Sequence, residues 1–285
     1  MANLKDIRRR IGSVKSTQKI TRAMKLVSAA KFARANAAVV AARPYGKAFD
    51  DMVARLIAAA GDDVDSPFLT EKPEKKALVV VLATDRGFCG GMNSNLFKAT
   101  LNFVAEKRKS GVEVDFVTWG KRARMFQEKM KYKSVASREK VLEKPNYLVA
   151  RELSEELGKH YQEQGYDRVY VAFVEFQSAM SQAPKVKQVL PVQRAKAEAV
   201  DQNLIIEPSV KELLPGLLKR QLASVIFRAL LEGSASEHGA RMTAMDSATN
   251  NANEVLREMK IEYNRARQAA ITKELIEITS GAQAL

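Results

Sequence analysis

The chain has 285 residues, 46% of them hydrophobic, and a formal net charge of +14, enough for one or two domains with a sizeable core. A single cysteine, Cys89, leaves no internal disulfide framework and suits a reducing compartment, and with only His160 and His238 beside it a nitrogen-sulfur metal site is not expected. Apolar runs never reach membrane-spanning length, and the charged N-terminus lacks the apolar core and cleavage pattern of a secretory signal, so the expected compartment is the cytosol.

The first expected element is a helix that begins near Asn3, a good N-cap, with Leu4, Ile7, Ile11 and Val14 forming one apolar stripe. Ile20, Met24 and Val27 continue the stripe, and Phe32, Ala35, Val39 and Ala42 take it up after a slight phase shift. Pro44 is expected to bend or interrupt the helix, which resumes through Phe49, Val53 and Leu56 and ends at Gly61. The first 60 residues hold 13 Lys or Arg against Asp6, Asp50 and Asp51, so most of the positive charge is local. Charge patterning by itself allows a solvated helix face as the plain reading of these residues. Nucleic acid is the partner such charge suggests, but the aromatic residues are few and do not interleave with the basic ones.

Residues 62–76 are polar, include Pro67 and Pro73, and read as a linker. Ala77 to Thr84 is a continuous run rich in valine, the mark of a strand buried on both faces. After a glycine-rich loop come a helix from Met92 to Lys109, a strand from Val112 to Trp119, and helices from Lys121 to Lys131 and Tyr147 to Gln164. Strands from Arg168 to Gln177 and from Val186 to Arg194 complete the sheet as an antiparallel pair, because only a short loop joins them. The alternation predicts a small doubly wound, Rossmann-like α/β domain over residues 77–207, inserted between helical segments 1–61 and 208–285.

The last third, Ser209 to Gly281, reads as almost unbroken helix, roughly 100 Å long at the usual rise per residue. Ser209 and Glu212 form a capping box, whereas Pro215 lies too deep for a first-turn proline, so a short turn, a kink and a main rod from Leu217 are expected. From Met242 a seam recurs at steps of three and four through Met245, Thr249, Ala252, Leu256, Met259, Tyr263, Ala266 and Ala270. That spacing calls for a second helix along its length, and the first helix, running the other way, supplies one as an antiparallel coiled coil.

The stretch TDRGFCGGMN, Thr84 to Asn93, joins a strand to a helix, where backbone N–H groups can cradle a phosphate. It follows neither known phosphate-loop spacing, so a structural turn is the better reading and a nucleotide site the weaker one. Cys89 beside Arg86 has no histidine near it in sequence, and Asp85, Glu175 and His160 fall into no triad or metal-ligand spacing.

Three motifs carry a resemblance: STQKITRAMKLVSAAKF (Ser16 to Phe32), the TDRGFCGGMN loop, and ITKELIEITSGAQA (Ile271 to Ala284), with Ile271, Thr272, Glu274, Glu277, Gly281, Ala282 and Ala284 at the fixed positions. In that order, and over the whole chain, the sequence resembles the γ subunits of F-type ATP synthases, of the bacterial type. The resemblance implies a rotor shaft inside a ring of α and β subunits, standing with the ε subunit on a ring of c subunits, in one copy per complex. It implies no catalytic site, cofactor or metal in this subunit, and a peripheral place at the cytoplasmic face of the bacterial inner membrane. Carried over residue by residue, Lys19, Met24, Lys25, Arg241, Gln268, Thr272 and Glu277 meet the β subunits, and Glu207, within the looser match Leu204 to Glu207, meets the c ring. Ile276 to Leu285 resembles a tip turning in an apolar sleeve. The paired cysteines of the chloroplast type, a redox switch, have no counterpart, and the chain opens on the family's first helix without a transit peptide. Charge and coil taken alone point instead to a coiled-coil scaffold or nucleic-acid binder with an α/β binding module.

Overall fold

The computed structural model describes residues 4–60, 66–193 and 206–283, the side chains of 281–283 excepted. The expected N-cap at Asn3, the helix end at Gly61, linker residues 62–65, Arg194, Leu204 and Ile205, and the tail residues Ala284 and Leu285 lie outside the described residues. Ten elements follow in order: α1 (Leu4–Ala60), β1 (Lys76–Leu82), α2 (Met92–Lys109), β2 (Glu113–Trp119), α3 (Lys121–Met130), β3 (Ser134–Arg138), α4 (Tyr147–Glu163), β4 (Arg168–Phe176), β5 (Gln182–Leu190) and α5 (Val210–Gln283). They form two compact units, one of residues 29–241 and one that joins residues 1–28 to 242–285.

In the larger unit the sheet has the order β3-β2-β1-β4-β5, with β4 and β5 antiparallel and every other pair parallel. β1 stands in the middle, and Ala77 to Val81 are wholly buried because both faces of the strand are covered. Side chains alternate between faces along a strand. Leu78, Val80 and Leu82 therefore pack with Val53, Leu56 and Ile57 of α1, Leu153 and Leu157 of α4, and Leu214, Leu218, Leu222 and Ile226 of α5. Ala77, Val79 and Val81 pack on the other face with Met92, Leu96 and Val104 of α2. The continuous apolar run in the sequence is the direct consequence of this two-sided burial.

Three sequence expectations are corrected. β3 was not expected: SVASR is short, polar and half exposed at the sheet edge, so it carries no apolar signal. β5 begins at Gln182, not Val186, because Pro184 is tolerated on an edge strand, where the missing N–H breaks no ladder bond. Neither proline interrupts its helix. Pro44 and Pro215 both lie on exposed faces inside α1 and α5, where water can take the carbonyl that each leaves without its usual partner. At the start of α5 the Ser209 hydroxyl accepts the Glu212 N–H at 3.3 Å, but the Glu212 carboxylate takes the hydroxyl proton of Ser209 at 3.2 Å.

The smaller unit is a pair of helical segments whose contacts run in opposite senses. Arg8 donates to the Tyr263 hydroxyl, Gln18 to Asn253, and Lys25 to Asp246 at 2.6 Å, so one number rises as the other falls. On α5 the seam is as expected: Met245, Ala252 and Leu256 are buried, and Met242, Thr249, Met259, Tyr263, Ala266 and Ala270 are half-buried. On α1 the stripe from Leu4 to Val14 turns inward, but beyond it, as far as Ser28, the inward positions are Gln18, Thr21, Lys25 and Ser28 together with the half-buried Met24 of the expected stripe. Ile20 and Val27, read as part of the stripe, point outward with 57% and 58% of their surface exposed. The reason is a polar stretch of seam, in which Thr249 donates to the Thr21 hydroxyl at 2.8 Å.

Gly120, with φ of 100°, closes the turn between β2 and α3. A Cβ there would stand 2.0 Å from the Ala83 carbonyl oxygen. Gly120→Ala should lower stability by about 3 kcal/mol or more, combining the forbidden φ with a backbone clash. Urea unfolding checks this, and an unchanged midpoint would show that the turn yields freely.

Candidate functional site

The Thr84 to Asn93 loop leaves the carboxyl end of β1 beside β4, where the strand order reverses and open α/β sheets commonly bind ligands. Its polar groups are turned on one another. Thr84 Oγ1 donates to the Arg86 carbonyl at 2.6 Å and accepts from Asn93 Nδ2 at 2.8 Å, and the same Nδ2 lies 3.3 Å from Cys89 Sγ. The Asp85 carboxylate accepts the backbone N–H groups of Lys121 at 2.9 Å and Lys140 at 3.1 Å. From α5, Arg241 Nε donates to the Gly87 carbonyl at 3.2 Å, while its Nη2 donates to Glu237 at 2.7 Å. This loop is thus a cross-braced turn closed by the chain's own side chains. Cys89 is buried, which pushes its thiol pKa up against the opposing pull of Arg241. A reactive thiolate needs the reverse.

Among the described residues no group of three His, Cys, Asp or Glu side chains could hold a metal, and no helix is long and apolar enough to cross a membrane. His160 on α4 faces Gln164 at 3.0 Å and Glu156 at 3.9 Å.

The residues that the resemblance assigns to partners are dispersed. Lys19 is exposed, Met24 half-buried, and Lys25 tied to Asp246. Gln268, Thr272 and Glu277 are exposed on the last turns of α5, with the Thr272 hydroxyl bonded to the Gln268 carbonyl at 2.9 Å and Glu277 at 3.6 Å from Lys273. Arg241 differs, its side chain being only 8% exposed. Glu207 is exposed at a cavity of about 510 Å³ that Met52, Arg55, Leu56, Ile206 and Leu213 also line. Sequence reasoning missed the outward apolar group Ile20, Leu26 and Val27, and it missed the inward turn of Arg241. The i, i+4 spacing of Glu237 and Arg241 was a signal for the second.

The larger unit is a five-stranded sheet covered by segments of two very long helices, and the smaller unit is a pair of segments of the same two helices. Chains of similar fold occur in the mitochondrial ATP synthase of Euglena gracilis, in an OSCP/F1/c-ring assembly (TM-score 0.68, 15% identity, covering 99% of this chain and 94% of that one). Another is in the central stalk and c ring of the Tetrahymena thermophila mitochondrial ATP synthase (TM-score 0.59, 23% identity, 80% and 99%). A family model described as ATP synthase matches residues 3–285. The ATP synthase gamma chain of Geobacter metallireducens is 46% identical over 288 residues, covering 100% of this chain and 99% of that one, and that of Desulfitobacterium hafniense is 41% identical with full coverage of both. The chain belongs to the ATP synthase gamma-chain family.

His238, beside Arg241, has its pKa pushed down from 6.5 to about 4 by burial first and then by the charges of Arg241 and Lys31. Below its ordinary value the unfolded chain takes up a proton that the folded chain refuses, so this group's contribution to stability falls from about pH 6.5 to about 4 and is level above. Burial raises Glu237 and Glu232, which act in the opposite sense. Comparison with His238→Asn isolates the histidine: in urea titrations the wild-type stability relative to the variant should decline through that window. A pH-independent difference would mean that the ring is protonated when folded.

Proposed function

We propose that the chain is the central rotor shaft of an F-type ATP synthase, coupling rotation of a membrane-embedded c ring to ATP synthesis at sites on the β subunits. The observation that carries this is the helix pair. It closes along its own seam, yet it presents Ile20, Leu26 and Val27 outward among exposed Lys19, Arg22 and Ala23. A stripe that is apolar and basic together suits a close-fitting collar with acidic and apolar walls.

The contacts with the β subunits are Lys19, Met24, Lys25, Gln268, Thr272 and Glu277, with Lys25 shared with Asp246. Arg241 is turned into the chain and stands apart from this set. Glu207 meets the c ring from the rim of its cavity, and the ε subunit lies against the α/β unit. In this reading the shaft acts as the ligand of a population shift: each orientation makes different contacts with alternative β conformations and so favours a different one in each. The chain itself is non-catalytic. It is held peripherally, in one copy, at the cytoplasmic face of a bacterial inner membrane.

Replacing Lys19, Arg22 and Lys31 together by Gln preserves helix propensity, so the fold should survive. The triple variant is expected to co-purify with α and β subunits but to pump fewer protons per ATP hydrolysed in membrane vesicles. Pumping per ATP at the wild-type level would sink the belt's role. The chain alone should hydrolyse no ATP above the level of an Arg86→Ala control.

Lys25→Gln tests the shared residue. Its half-exposed pair with Asp246 is the kind that contributes about 1 kcal/mol at most, so the urea midpoint should barely move. A large loss would mean that the polar seam depends on this one charge.

A further inference from the structure

Phe88 is out of place by two measures. Its φ is +63°, a left-handed conformation that a bulky residue avoids, and its side chain is pushed into solvent, leaving the residue 70% exposed. Neither feature stabilises the chain, so something must hold the turn in this shape. The residues on either side are fixed. Cys89 is buried behind Phe88, Thr84 pins the Arg86 carbonyl in front, and the Gly87 carbonyl is the acceptor for Arg241 of α5.

Arg241 is placed to act as a fork. One nitrogen reaches the Gly87 carbonyl at 3.2 Å, a second the Glu237 carboxylate at 2.7 Å, and a third stands 3.5 Å from His238 Nδ1. Glu237 is itself buried, and its carboxylate fixes the plane of the guanidinium. His238, kept neutral, offers a lone pair in place of a competing charge. With three of its five N–H donors turned to partners in the chain and its side chain only 8% exposed, the guanidinium offers little to a charged partner outside.

We propose that Arg241 is a positioning residue, a latch from α5 that holds the Gly87–Phe88 turn shut over Cys89 and so fixes Phe88 as an outward apolar projection. The latch lies wholly among residues 29–241 and does not depend on the shaft reading. It separates two roles for the same arginine. A partner-facing charge would be kept by lysine, whereas the latch needs the planar fork that lysine lacks.

Cys89 is the chain's sole cysteine and lies directly under the turn, so its labelling by a neutral maleimide in the full-length protein reports opening. Arg241→Lys is expected to raise the labelling rate without denaturant by about ten-fold to a hundred-fold, the factor that corresponds to one lost hydrogen bond to a charged group. The excess should stay flat through low urea, because opening a turn exposes little surface. Val80→Ala, a core variant, should label faster only along the steep urea dependence of whole-chain unfolding. Glu237→Gln, which keeps side-chain size but frees the fork, should behave as Arg241→Lys in smaller degree, and it carries the test if the lysine variant does not fold. Labelling at the wild-type rate in the folded variant, or an excess that follows the unfolding slope, would overturn the latch.

Discussion

A helix of 74 residues exposes apolar side chains along more length than one domain can cover, and the rest of the structure answers that demand. From Leu214 to Leu230 α5 buries its apolar face against the sheet and α1. From Met242 to Ala270 it is covered by the start of α1. Beyond Ala270, among the described residues, Ile271, Leu275, Ile276 and Ile278 stand exposed on successive turns. An apolar helix end of that kind is costly in water, and it is tolerable where a further surface encloses it. The tip thus asks for the same close-fitting collar that the outward stripe of α1 does.

The polar stretch of seam has a second consequence. Where Gln18, Thr21, Lys25 and Ser28 face α5, the inner surface of the pair gains little from burial and relies on matched hydrogen bonds. Polar layers in a helix pair specify which residue meets which, since a shifted register leaves donors and acceptors without partners. The apolar residues that a simple two-sided seam would have used, Ile20 and Val27, are thereby released to the outside. One helix face provides alignment, and the other is left free for contact.

How much of this was legible in the sequence follows from how each element is stabilised. β1 and the α5 seam were readable because burial on two faces, or along one unbroken stripe, writes itself into residue type at every position. At Ile20 and Val27 the α1 stripe was misphased by one residue, about 100° on a helix, since hydrophobicity selects Ile20 over Thr21 while the partner helix selects Thr21. β3 borrows its stability from neighbouring β2 and needs no apolar run of its own, so a five-residue segment with only Val135 and Ala136 apolar gave no sign. Pro44 was expected to bend or interrupt its helix and Pro215 to kink its own, and each helix continues through its proline. Arg241 was read as a β-subunit contact by resemblance, and only the placement of Gly87 and Glu237 around it shows the inward turn.

The phosphate-loop likeness of TDRGFCGGMN is explained by the same packing. The strand order creates a crevice at the carboxyl ends of β1 and β4, the place where open α/β sheets commonly hold a ligand. Here α5 runs past that crevice and fills it with Ala240, Glu237 and Arg241. A guanidinium and its carboxylate stand where an anion would otherwise draw on backbone N–H groups, and the loop offers a carbonyl, that of Gly87, in place of a donor. The glycines that suggest a cradle instead let the chain turn tightly beneath a helix. Gly90, for instance, takes a φ of +58°, which a side chain would resist. A sheet whose order favours a ligand site has been converted into a seat for a helix, and a small-molecule crevice becomes an anchorage for α5.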